Sequence, residues 1–497
     1  MEAIATSRSH KILFFNTLAF TVCFAAWMLN GVLVTFLIDN QVFDWSPVQF
    51  GWLMGIPVLT GAIFRLPAGI LTDKFGGKPV YGTLLILSAI PMFLLSTVDS
   101  FLGFALCSFG FGFTGVSFAI GIAFSSVWYP KEKQGTALGI FGAGNAGAAI
   151  TTLFAPTLLN NFTNDASNLE GWRTLPIVYG VSLLIMGILF FIFTENKKPA
   201  SSNRHIKMML KPLKDIRVWR FGLYYFLVFG MFVAFAQWLV PYFVSVYTMP
   251  LVTAALFASM FSLPSGIIRA LGGWMSDKFS ARTVMQWVLG ITVLGSLMLI
   301  VPRMDIYSPG RGIMAKASGT VTEITSDYIQ IDSKKYDLVK RTNEANVFDD
   351  QNLILPVKNT WHEVQVEVGE VVSKKQLLAK GISNIYFQAN IWVFVIIVIL
   401  LGSVWGIGKA AVYKFIPDYF PDEVGVVGGM VGVLGGLGGF VGPVIFGYLL
   451  EYTGLWTSCW MFIFFVSIIS LWLMNKVSHD IVSKEAPEAI RQLEKKA

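Results

Sequence analysis

The sequence predicts an all-α polytopic membrane protein of twelve transmembrane helices in two six-helix halves, interrupted by one small β domain. Three observations carry this. The composition is too apolar for water, apolar runs of spanning length recur along the chain, and one motif occurs twice at a fixed offset. Hydrophobic residues make up 55% of the 497 and charged residues 13%, with 42 Phe and 15 Trp; mean hydropathy is +0.63. A soluble chain carries about 25% charged residues. The net charge of +7 does not point to nucleic acid, because the basic residues sit in short loops between apolar runs. Cys23, Cys107 and Cys459 fall inside apolar runs without CxxC spacing, as small buried residues rather than a disulfide or zinc site. No cofactor, metal or enzymatic activity is expected.

The apolar runs lie near 12–38, 48–72, 79–97, 100–127, 135–159, 174–194, 220–246, 251–275, 283–302, 390–413, 424–450 and 455–475. About 20 apolar residues cross a bilayer, and backbone groups in lipid must bond internally, so each run reads as a helix. The first run exceeds a signal-peptide core and lacks a small-residue cleavage site, so it reads as an uncleaved span. Basic residues cluster at Arg8 and Lys11, Lys74 and Lys78, Lys131 and Lys133, Lys278 and Arg282, in the connection after span 6, and at Arg491, Lys495 and Lys496. The alternate loops are acidic or neutral. This pattern places both termini in the cytoplasm of a multi-pass cell-membrane protein embedded in lipid.

The repeat is explicit. FRLPAGILTDKFGGK (Phe64–Lys78) and IRALGGWMSDKFSAR (Ile268–Arg282) each place an arginine eight residues before Asp-Lys-Phe. Arg65 and Arg269 are 204 residues apart, as are Asp73 and Asp277. Gly135, Gly139 and Gly142 recur as Gly425, Gly429 and Gly432 at an offset of 290, so 86 residues entered the second half. The expected organisation is a six-helix half at 1–196, a cytoplasmic linker at 197–218, helices 7–9 at 219–303, an extracytoplasmic β insert at 304–388, helices 10–12 at 389–476 and a cytoplasmic tail at 477–497. Such parallel halves resemble the major facilitator superfamily, whose substrate site lies at mid-membrane between them. Within the insert, GTVTEITSDYIQI and HEVQVEVGEVVSKKQLLAKG alternate apolar and polar residues, the signature of strands. The second stretch resembles half of a lipoyl-type barrel-sandwich, with Gly369 at its turn but no acceptor lysine motif. Contact with an unidentified partner, or shaping of the outer surface, is the expectation for it.

Arg65 lies ~12 Å deeper along its helix than Asp73, and a charge at that depth costs about 2.5–3.5 kcal/mol. No Asp or Glu occupies the middle of any predicted span. The arginines therefore read as an anion site, the alternative being a structural role satisfied by backbone carbonyls. The planar, forked guanidinium suits a small oxyanion. The segment GILTDKFGGK matches the superfamily's cytoplasmic loop motif and GWMSDKFSAR is a degenerate copy. Gly69, Asp73, Lys74 and Gly76, with Asp277 and Lys278, are thereby assigned to gating rather than to substrate. Lys409, several residues inside span 10, reads either as an interfacial snorkelling lysine or as a coupling residue.

Together with Ser117–Gly147 (SFAIGIAFSSVWYPKEKQGTALGIFGAGNAG) and the glycine-rich span 11, the arginine pair makes the chain similar to the nitrate/nitrite porters of this superfamily. The resemblance covers 1–303 and 389–497. It implies a secondary transporter of nitrate or nitrite, with protons as a further candidate partner. It also implies a substrate site at Arg65, Arg269, Asn145, Tyr225 (or its neighbour Tyr224) and Phe118, with Phe24 or Trp27 as a second aromatic wall. A porter of another small inorganic or organic anion, or a transporter-like anion sensor, stays open, as does proton symport against nitrate/nitrite exchange.

Overall fold

The computed structural model describes residues 7–129, 137–138, 140–198, 214–300, 303–341, 357–388, 390–420 and 424–485. It divides into two compact units, Met1–Ile300 with Ile397–Ala497, and Val301–Ile396.

In the first unit the apolar runs are helices, and several are broken inside the span. Ser7–Trp27 (α1) and Leu29–Asp39 (α2) form the first, Pro47–Ile63 (α3) and Arg65–Phe75 (α4) the second. Gly77–Leu95 (α5) is continuous. Phe101–Phe111 (α6) passes through a tight 3₁₀ turn, Gly112–Val116, into Ser117–Ser126 (α7). Ala146–Phe162 (α8) and Thr174–Phe193 (α9) complete the first half. The second contains Ile216–Tyr225 (α10), a π-turn at Phe226–Met231 and Phe232–Tyr247 (α11). Leu251–Ile267 (α12), Arg269–Phe279 (α13) and Ala281–Leu299 (α14) follow. Ile391–Tyr419 (α15), Val424–Thr453 (α16) and Ser458–Glu485 (α17) close the unit. Among the described residues ten helices are long and apolar enough to cross a membrane, and the broken pair α12/α13 makes an eleventh. The fifth predicted span is described at 137–138 and from 140, where a 3₁₀ turn at Ala143–Asn145 leads into the 17 residues of α8; Lys131, Lys133, Gly135 and Gly139 lie outside the described residues, as do 199–213 and the tail beyond 485.

Local chemistry accounts for the helix ends. Ser46 accepts from Gln49 N while Gln49 bonds back to Ser46 N, a reciprocal capping box with Pro47 in the first turn. At the other end of the second span, Gly76 has φ +88°, and Asn196 bridges the turn by donating to Phe75 O and accepting from Lys78 N. A Cβ on Gly76 would fall 2.1 Å from Asn196 Oδ1. The two breaks before α4 and α13 fall at Phe64 and Ile268, 204 residues apart like the arginines they precede. Each arginine therefore begins a fresh helical segment. The three cysteines are free and buried, as the sequence implied.

The two halves touch at one end. There α3 lies so close to α16 that a Cβ on Gly51 would sit 2.3 Å from Pro443 O, and one on Gly447 2.4 Å from Pro47 O. Close backbone approach of this kind is what small residues permit. In the same layer Gly31 packs on Gln237, and Glu451 accepts from Val48 N across the halves at 3.2 Å. Toward the Asp73 and Asp277 end, Gly69, Gly273 and Gly429 meet no neighbour within 4 Å of an added Cβ. The unit is thus closed at its Ser46 end, while among the described residues these three glycines have open space toward its Asp73 end.

The second unit is a pair of antiparallel sheets. Arg303–Met314 (β1), Gly319–Ile324 (β2), Tyr328–Ile331 (β3), Lys334–Asp337 (β4), Val357–Val364 (β5), Val371–Val372 (β6) and Leu377–Gln388 (β7) pair in the orders β1-β7-β5 and β4-β3-β2-β6. Gly369, at φ +91°, makes the turn before β6. Alternation puts Val321, Ile329, Ile331, Tyr336, Val372 and Leu378 into a common core.

Candidate functional site

The breaks in α3/α4 and α12/α13 bring both arginines to a set of aromatic side chains from the two halves. Arg65 is 7% exposed. Its guanidinium carbon stands 5.8 Å from the Phe118 ring and 5.6 Å from the Phe229 ring. One Nη donates to Gly432 O at 3.0 Å, while Nε is buried without a partner. Arg269, half-buried, lies 5.8 Å from the ring of Tyr413. Tyr413 meets Tyr225, whose ring stacks on Phe229 beside Arg65, so one run of rings joins the two arginines. Among the described residues neither arginine forms an ion pair with a carboxylate.

Tyr225 occupies the centre of this aromatic chain. Its ring stacks on Phe229 at 4.9 Å and meets Tyr413 edge-on at 5.0 Å. Its hydroxyl is buried and makes no hydrogen bond of ordinary geometry. Gly435 permits this placement, since a Cβ there would lie 2.2 Å from Tyr225 Cδ1. The π-turn begins at the next residue, a local irregularity of the kind found at functional sites. Arg65 Nε and Tyr225 Oη are thus two buried donors without a hydrogen-bond partner in one site. A small anion with several acceptor oxygens would satisfy both.

The other assigned residues fall as follows. Phe118 belongs to a ring cluster with Phe20 and Phe141 and presents a face to Arg65. The second ring at Arg65 comes from Phe229 of the seventh span; Trp27 is instead fully buried and donates to Pro57 O, and Phe24 packs on Phe20 and Trp27. Asn145 ends a 3₁₀ turn and donates to Gly142 O at 2.8 Å, with no hydrogen bond to either arginine among the described residues. Tyr224 is buried one position away. Asp73 and Lys74 lie in the last turn of α4, where Lys74 covers Phe75. In the second copy Asp277 pairs with Lys414 at 2.8 Å, and Lys278 stands over Trp274 and Phe279. The snorkelling reading of Lys409 is overturned. It is 5% exposed, donates to Ser265 Oγ at 2.9 Å, and lies 3.1 Å from the centre of the Phe232 ring.

Paired bundles of broken apolar helices around a cationic, carboxylate-free centre define a membrane transporter of the Major Facilitator Superfamily, to which this chain belongs. The superfamily model matches residues 16–316 and 377–496. Among solved structures, a bacterial homologue of the human lysosomal transporter Spinster, inward-facing and occupied, aligns with TM-score 0.61 at 14% identity. That alignment covers 96% of this chain and 98% of the other. A mutant of the nucleoside transporter NupG aligns with TM-score 0.58 at 12% identity, over 95% and 99%. These likenesses show the fold. Within the superfamily the chain is a member of the nitrate/nitrite porter family. A probable nitrate/nitrite antiporter of Thermus thermophilus, NarK1, is 36% identical over 96% of this chain and 93% of its own length. A nitrite extrusion protein of Bacillus subtilis is 30% identical over 63% and 77%.

Proposed function

We propose that the protein moves nitrate, nitrite or both across the cell membrane by alternating access, holding the anion at Arg65 and Arg269. The observation that carries this is the pair of buried, unpaired donors, Arg65 Nε and Tyr225 Oη, beside two arginines with no carboxylate partner among the described residues. Nitrate is flat and monovalent, so forked donors with the Phe118 and Phe229 faces replace its water. Asn145 is assigned to the substrate path on the resemblance alone. We count twelve spans, taking residues up to 162 as the fifth and α12/α13 as one. With both termini cytoplasmic, the closed Ser46 end is the outer one.

The test is flux in proteoliposomes. Arg65→Lys and Arg269→Lys keep charge but lose the fork, and each should cut nitrate uptake about 10–100-fold, the loss of a charge-assisted hydrogen bond. Full flux in both variants overturns the clamp. For coupling, Lys409 is the one buried lysine among the described residues. Uptake driven by a pH gradient and lost in Lys409→Gln would assign it to proton symport. Flux that requires internal nitrite and ignores the gradient would assign exchange.

A further inference from the structure

Spans 8 and 10 approach unusually closely, and glycine makes this possible. A Cβ on Gly402 would meet Phe261 O at 2.4 Å, and one on Gly406 would meet Ser265 O at 2.7 Å. The two glycines are four residues apart on one face of α15. Along the resulting seam two contacts stand one helical turn apart. Lys409 donates to Ser265, and four residues further on in each helix Arg269 covers Tyr413. Both spans run from the closed Ser46 end toward the Asp73 and Asp277 end, so the Lys409–Ser265 contact lies ~6 Å nearer the closed end than Arg269.

Lys409 is held but not neutralised. Ser265 Oγ takes one of its three N–H donors, and the Phe232 face takes the ammonium charge sideways. Lys409 forms no ion pair among the described residues, and the charges around it are cations: Arg269 stands one turn along the same seam, and Arg65 lies at the shared Phe229 ring. A hydroxyl and a ring face leave the charge without a counter-ion at mid-span, where it is costly. The Ser265 hydroxyl accepts from Lys409, so its own proton is free to be donated alongside the two remaining N–H groups.

We propose that Lys409 and Ser265 form a second anion station, one turn from the arginine pair toward the closed end, where the transported oxyanion rests between the outer gate and the clamp. This rests on the anion-transport reading above and adds a direction to it. An anion entering from the Ser46 end meets Lys409 first, and one entering from the Asp73 end meets the arginines first.

The experiment is nitrate exchange by the full chain reconstituted in a known orientation, with KM measured separately for nitrate on each face. Lys409→Gln should raise KM about tenfold for nitrate on the Ser46 face, the worth of one charge-assisted hydrogen bond. KM on the opposite face should stay within about twofold. Lys409→Arg, which keeps the charge, should restore most of the loss. Ser265→Ala, which keeps the lysine, should give a smaller rise on the same face and covers the case in which Lys409→Gln does not fold. Equal changes on both faces, or no change on either in a variant with wild-type melting temperature, overturn the station. Absence of nitrate exchange in the unaltered protein would instead overturn the transport reading itself.

Discussion

Gly51→Ala tests alternating access directly, because the contact it disturbs belongs to one conformer only. A methyl at Gly51 falls 2.3 Å from Pro443 O and 3.3 Å from Gly447 Cα. Both obstacles are helix backbone, so neither swings aside, and α3 and α16 must separate by about 1 Å to reach ordinary contact. Overpacking of this kind costs about 1–3 kcal/mol. The cost falls on the closed Ser46 end and vanishes when that end opens, so the balance of conformers should move about 5–150-fold toward opening. Spin labels at Asp44→Cys and Tyr452→Cys report the separation of the halves there; both positions are exposed, while native Cys23, Cys107 and Cys459 are buried. The variant should populate a longer distance that the parent lacks, with slower nitrate turnover. A folded Gly51→Ala protein whose distances match the parent would refute the account of the closed end.

Other perturbations read the remaining layers. Gly435→Ala drives a methyl to 2.2 Å from the Tyr225 ring, so nitrate affinity measured by fluorescence quenching should weaken by about tenfold as the ring is displaced. Gly76→Ala combines φ +88° with a contact at Asn196; the melting temperature in detergent should fall, reflecting about 1–3 kcal/mol of strain. Asp215 caps α10 by accepting from Arg217 N, and the Arg217 guanidinium bonded to it holds its carboxyl below the usual carboxylate range. Its contribution is full above pH ~3.9 and is lost as pH falls through the depressed value. Asp215→Ala should therefore lower the melting temperature at pH 7, by the loss of a cap worth about 1 kcal/mol, and matter progressively less as pH falls through the depressed value.

Much of this was readable without coordinates. Apolar runs marked the helices because length and hydropathy alone decide membrane insertion, and the offset of 204 made Arg65 and Arg269 a pair. The breaks before them left no trace, since Phe64 and Ile268 are ordinary span residues. Phe229 and Tyr413 were invisible among the 14% aromatic residues; only packing singles out the rings that touch a guanidinium. An apolar run ending at 413 sets Lys409 near an interface. The helix continues to Tyr419, ten residues and ~15 Å beyond the lysine, and the side chain is buried. Gly402 and Gly406 did carry a signal: a four-residue spacing of glycine beside a lone lysine marks a tight seam with a charge in it.

The π-turn at Phe226–Met231 has a consequence for how this chain tolerates change. Such a turn stores one surplus residue in an otherwise α-helical ladder. Deleting a single residue there would close the turn into ordinary α-helix and leave the parts of the span on either side in register. The same deletion in α10 or α11 would rotate everything beyond it by about 100°. The span should therefore tolerate the loss of one residue along 226–231 better than anywhere else in its length, at the expense of the widened backbone beside Tyr225 and Phe229.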